Sequence, residues 1–157
     1  MLLQMADVAP DLLYQSSAFP TAFRAAMAAL TIVHSDVVFA ALDLFRTILT
    51  HDCLSPAPSR PSPPKFPFYA SAIRAVIEKE GFEFLGYLLT GLVGDFPEDS
   101  TSAVVSIFRA LSALWPSQIL AWLPLILPQL PTSSAPLQTK NEFMTEVTRF
   151  VGFYVFF

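Results

Sequence analysis

The chain has little of what most functional classes require. A single cysteine, Cys53, stands among 157 residues, so no internal disulfide can form and a reducing setting, cytosol or nucleus, is expected. Lysine and arginine total nine against thirteen acidic residues, for a net charge of −4. The basic residues are scattered singly, which argues against the clustered stripe of a nucleic-acid surface. Long apolar runs are missing too. A membrane-spanning helix needs roughly 20 apolar residues, and the longest uncharged stretch, Ala110 to Thr139, is broken by Pro116, Pro124, Pro128 and Pro131. Residues Met1 to Asp7 lack the basic start and apolar core of a secretory signal, so no export is expected. No period-two alternation persists long enough to form a strand, and the expected fold class is all-α.

What is present is apolar surface. The chain is 54% apolar with a mean hydropathy of +0.53, high for a free-standing soluble domain. Adjoining repeats, a partner chain or a membrane must cover the excess. Prolines punctuate blocks whose interiors follow a 3.6-residue period. The clearest block runs from Ser35 to Thr50. Its Val38, Ala41, Leu42, Phe45, Ile48 and Leu49 share one face, with Asp36, Asp43, Thr47 and Thr50 opposite. Ser35 is the expected N-cap, with Asp36 in the first turn. A helix over 17–33 precedes it, with Phe19, Phe23, Ala26, Met27 and Leu30 on one stripe, and the short connection at His34 predicts an antiparallel hairpin.

The pattern recurs. A long helix from about Phe68 to Val93 is followed by a short turn, then by Glu98 to Thr101 as capping residues for a helix carrying Val104, Ile107, Leu111 and Trp115. A third, weaker pair spans 117–127 and 136–153. The expected architecture is an α-solenoid of about three HEAT-like helix hairpins, spaced somewhat wider than is usual. Residues 1–53 hold a partial repeat and the first pair, 54–66 a Pro-rich linker, and 67–157 two further pairs. Five prolines between Ser55 and Lys65 exclude a helix there. Pro61 to Pro64 also makes a PxxP match, a short pattern common by chance. Gly81, in the middle of the long helix, predicts either close packing against a neighbour or a kink.

Three segments in order carry a resemblance to a known family. Ser16 to Asp36, followed by Phe39 and Leu44 to Leu49, resembles a late repeat of the transportin-SR class of importin-β superfamily nuclear transport receptors. In that class a small-residue-rich helix leads through a His-x-Asp corner into its partner. Val76 to Leu89 looks like the long helix of the next repeat, and Pro97 to Leu111 with Trp115 like its second helix. The resemblance covers about residues 10–125. The Pro-rich insert and the aromatic ending Gly152 to Phe157 depart from the family pattern. The resemblance implies a karyopherin fragment that helps carry Arg/Ser-rich or RNA-binding proteins between cytoplasm and nucleus, with cargo against the second helix of each pair. It also implies that GTP-bound Ran acts on an N-terminal arch that this sequence does not include. By that likeness the partner-facing candidates are Asp36, Asp43, Arg46 and Thr50 on one helix and Ser102, Ser106 and Arg109 on the next. Taken singly, each also fits an ordinary solvated face.

The chain is not expected to be an enzyme. His51 and Cys53 fall short of the three or four convergent ligands zinc needs, and read more simply as the end of a helix. His34, Ser35 and Asp36 are adjacent in sequence, whereas hydrolase triads converge from separate segments. No Gly-x-Ser-x-Gly elbow or phosphate-binding loop occurs. Trp115, Trp122 and Phe150 read as core before they read as a peptide groove. No cofactor, catalytic residue or metal ligand is assigned. The rival functions are a helical-repeat scaffold unrelated to transport and a membrane-associated helical protein. With both ends read as cut or apolar, self-association is expected of the isolated chain.

Overall fold

A computed structural model describes residues 1–156, and all regular structure among them is helical. In chain order the helices are α1 (Leu2–Val8), α2 (Pro10–Tyr14), α3 (Phe19–Ala29), α4 (Ser35–Leu49), α5 (Phe66–Val93), α6 (Thr101–Leu114), α7 (Pro116–Ile126) and α8 (Leu137–Phe156). The all-α class is therefore as expected. Phe157, the last residue of the aromatic ending, lies outside the described residues.

Proline sets where four helices begin. Pro10 and Pro116 open α2 and α7, and Pro20 and Pro67 stand second in α3 and α5. A missing N–H costs nothing at these positions, because the first turn's N–H groups have no helical acceptor. Side-chain caps contribute less than the sequence suggests. The N-cap of α4 is His34, in extended backbone, and Ser35 is already inside the helix without a capping hydrogen bond. Residues Glu98–Ser100 form a 3₁₀ turn ahead of α6. There the Ser100 and Thr101 hydroxyls donate to the carbonyls of Pro97 and Glu98, at 2.6 and 3.0 Å, instead of accepting from the helix. Inside α7, Pro124 cannot donate to the preceding turn. The helix nevertheless runs to Ile126, and the side-chain amide of Gln129 donates to the Leu125 carbonyl at 3.0 Å.

Packing proceeds from pair to pair. α3 folds back on α4, α3 also lies on α5, and α4 lies on both α1 and α6. α2 rests on α5, while α6 touches α5, α7 and α8 and α7 packs on α8. Aromatic rings from α3, α4 and α5 meet at one junction. The rings of Phe23, Phe45 and Phe84 stand 5.0, 5.5 and 4.4 Å apart, each all but excluded from water. Gly81, in the middle of α5, lies beneath Trp122 of α7. A Cβ added at Gly81 would stand 2.5 Å from the indole, so the expected close approach is present.

The α8 side and the α1 side of the molecule differ. The outward side of α8 is polar, with Gln138 donating to Glu142 at 2.9 Å and Arg149 paired with Glu146 at 3.1 Å. Beneath it the buried Lys140 ammonium donates to the Leu130 carbonyl at 2.6 Å and ties down the α7–α8 connection. On the other side α1, α3 and α4 leave an open groove of about 530 Å³ lined by Leu2, Leu3, Ala25, Ala29, Ala40 and Leu44.

Two substitutions test this packing. Phe84→Ala removes a fully buried ring from the three-helix junction and should cost about 3–5 kcal/mol in urea unfolding. Gly81→Ala should destabilise by about 1–3 kcal/mol despite the better helix propensity of alanine, because the added methyl meets the Trp122 indole. A neutral or stabilising result at Gly81 would contradict the close contact.

Candidate functional site

The residues expected to face a partner lie on α4 and α6, two helices that pack side by side. Asp36, Arg46 and Thr50 are exposed and Asp43 half-buried on α4, while Ser102 and Arg109 are exposed and Ser106 half-buried on α6. The spacing 102, 106, 109 keeps the α6 set on one face. Within α4 the Arg46 guanidinium donates to the Asp43 carboxylate at 2.9 Å, and the Thr50 hydroxyl donates to the Arg46 carbonyl at 2.7 Å. Asp36 stands apart, at the rim of the groove beside α1. No hydrogen bond or ion pair joins the α4 set to the α6 set among the described residues. The charges of Asp36 and Asp43 are balanced by Arg46 and Arg109, so these faces do not form the net acidic wall that Arg/Ser-rich cargo calls for. Acid is concentrated instead at Asp95, Glu98 and Asp99, between α5 and α6.

A second cluster, which no spacing in the sequence signals, lies where α2 meets the start of α5. Asp11 of α2 accepts from the Lys65 ammonium at 2.6 Å and also from the Tyr69 hydroxyl, tying α2 to the start of α5. These two bonds, Lys65 first, hold the Asp11 carboxyl below its usual range. The Asp11 bond in turn pushes the Tyr69 phenol up to about 12. Behind them the His51 ring packs edge-on against Tyr14, Phe66 and Tyr69 at 5.6, 5.3 and 5.9 Å. Its Nδ1 accepts the Cys53 N–H at 3.1 Å. An accepting Nδ1 identifies the neutral ring with its proton on Nε2. His51 thus does belong to a helix end, though as an acceptor and not as a cation beside the last carbonyls. Burial lowers its pKa and lifts the buried Cys53 thiol to about 11. No group of three or more His, Cys, Asp or Glu side chains stands together as a metal site among the described residues.

The remaining sequence candidates are core or near-core. Trp115 is buried with the Arg74 guanidinium 5.6 Å from its ring centre, while Trp122 and Phe150 are half-buried against the core. A cleft of about 300 Å³ between α2, α3 and α5 is bordered by Tyr14, Ser16, Pro20, Lys79 and the nearly buried Glu80. The Arg24 guanidinium donates to Glu80 at 3.2 Å, so that carboxylate is already engaged. No helix among the described residues is long and apolar enough to cross a membrane.

The His51 geometry fixes the sign of a pH response. Its folded pKa is lowered, so the unfolded chain takes up the proton first, at its ordinary value of about 6.5. Stability is therefore full above that pH and falls as the pH drops from there toward the folded value. The lowered Asp11 pKa acts in the same direction in a more acidic window, with its contribution lost as the pH falls through the folded value. The urea midpoint should be lower at pH 5.5 than at pH 7.5, and His51→Gln should shrink that difference. An undiminished difference would assign the response to other groups.

No protein-family model matches the chain, and no curated protein matches it.

Proposed function

We propose that this chain is part of an α-solenoid, helix pairs stacked in series to build a protein-binding wall. The order of contacts supports the reading: first helices meet first helices, α3 on α5, and second helices meet second helices, α4 on α6 and α6 on α8. Gly81 of α5 beneath Trp122 of α7 continues the first row. In stacked repeats each unit covers the apolar face of the next, which is what so apolar a chain requires. The function is binding, with no reaction or cofactor assigned.

The finer role comes from the family resemblance. On that reading the wall helps carry Arg/Ser-rich or RNA-binding protein cargo, the protein shuttles between cytoplasm and nucleus, and a longer receptor of the class is unloaded by GTP-bound Ran. One observation favours the second reading, a scaffold unrelated to transport: the charges on the α4 and α6 faces cancel.

A labelled Arg/Ser-rich peptide, compared by fluorescence anisotropy with a Gly/Ser peptide of equal length, separates the two. Transport predicts binding of the Arg/Ser peptide alone, weakened between about 50 and 200 mM salt as screening tightens. Asp36→Lys combined with Asp43→Lys should lower it severalfold. If the two peptides behave alike at low salt, the transport reading fails and the scaffold reading stands.

A further inference from the structure

The segment between the first and second helix pairs differs from the rest of the surface. Every residue from Ser55 to Lys65 is exposed and none is helical, while Leu54 before it and Tyr69 after it are buried. Within this segment Ser62 is followed by Pro63, with the cationic Lys65 three residues on. We infer that Ser62 is a phosphorylation site for a proline-directed serine/threonine kinase that selects a basic residue three positions after the acceptor.

Three features support the assignment. A serine inside a helix turns its hydroxyl back toward its own backbone, whereas Ser62 lies in exposed irregular chain that can enter a kinase cleft. Pro63 holds the residue before it in extended backbone and presents no N–H, so it fits a subsite that offers no acceptor there. Lys65 supplies the charge for an anionic subsite. The segment also contains its own control. Ser55 has Pro56 after it and equal exposure, but Pro58 stands where a basic residue would be needed.

The reaction consumes ATP. The Ser62 Oγ attacks the γ-phosphorus of Mg-ATP, the Oγ–P bond forms as the bond to the β–γ bridging oxygen breaks, ADP leaves, and the hydroxyl proton passes to the kinase's base.

The modification reaches the core through Lys65. The Phe66 N–H donates to the Pro63 carbonyl at 3.1 Å, so the chain turns between Pro63 and Phe66, directly after Ser62 and across Lys65. Even fully extended, three residues span no more than about 11 Å. Lys65 is bound to Asp11 at 2.6 Å. A phosphate near its second ionisation carries more charge than a carboxylate and competes for that ammonium. Phosphorylation therefore draws Lys65 from Asp11 and loosens α2 from the start of α5. By the same coupling, Asp11 restrains Lys65 before the kinase engages it.

The test incubates the full chain with such a kinase and Mg-ATP and maps phosphate by mass spectrometry against time. Ser62 should be modified about tenfold faster than Ser55, the difference one charge-assisted contact makes. Ser62→Ala should abolish the fast phase, Lys65→Gln should slow Ser62 to the Ser55 rate, and Lys65→Arg should restore it. Asp11→Asn should speed Ser62, and phosphorylation should hasten hydrogen exchange of the α2 amides severalfold. Equal rates at Ser55 and Ser62, no phosphate at Ser62, or indifference to Lys65→Gln would overturn the site. An unchanged Ser62 rate in Asp11→Asn together with unchanged α2 exchange would overturn the coupling. Lys65 is more than half exposed, and circular dichroism of each variant verifies that it folds.

Discussion

Three phenylalanine rings from three helices pack at one point and join the first helix pair to the next helix. Phe23, Phe45 and Phe84 come from α3, α4 and α5, and each ring is within about a ring's breadth of the other two. A helix hairpin alone exposes much of its apolar stripe to water. Here the ring from α5 completes the core of the α3–α4 pair, so the first pair is finished by the second. Gly81 beneath Trp122 does the same for the next joint, where the absence of a side chain on α5 makes room for a bulky one on α7. Neither joint is filled from within one pair, so each pair's core contains a side chain from its neighbour.

Polar groups fix what the apolar contacts leave loose. Arg24 reaches Glu80 between α3 and α5, Asp11 holds Lys65 and Tyr69 between α2 and α5, and Lys140 satisfies the Leu130 carbonyl before α8. Each bond joins an element to a neighbour distant or separated by a turn, and each sits at a margin of the core. Arg24, Lys65 and Asp11 keep much of their hydration there, while the buried Lys140 and Glu80 depend on their hydrogen bonds to offset desolvation.

The long amphipathic helices were legible from residue spacing alone. The bounds of α4 agree to within a residue, and the expected start of α5 at Phe68 lies two residues inside its true beginning, because Pro67 belongs to the first turn and does not block it. Gly81 also signalled its close contact. Local signals did worse. Ser35 and the run Glu98 to Thr101 have the residue types of caps, yet backbone turns satisfy those helix starts. α1 and α2 were not delimited, since seven and five residues give too few turns for a period to emerge. The partner-facing residues were placed on exposed or half-buried sides of α4 and α6, as periodicity requires. Their charges cancel by simple count, two acids against two arginines, a fact already present in the sequence, whereas the Asp43–Arg46 contact itself depends on side-chain direction. Nor was the Asp11–Lys65 contact legible, because its members lie on opposite sides of the first helix pair in sequence and meet only after it has folded.

The Pro-rich segment is anchored at both ends, by the buried Leu54 before it and by Lys65 on Asp11 after it, and residues 55–64 between them are exposed. For such a closure the entropic cost grows only with the logarithm of length, about 0.6 kcal/mol for each doubling. Residues 55–61 are thus slack in the chain: they can lengthen, shorten or change composition while Leu54, Lys65 and Tyr69 stay in place. The join between the first and second pairs is where this protein can diverge most cheaply, because the helices on either side are held by each other and not by the thread between them.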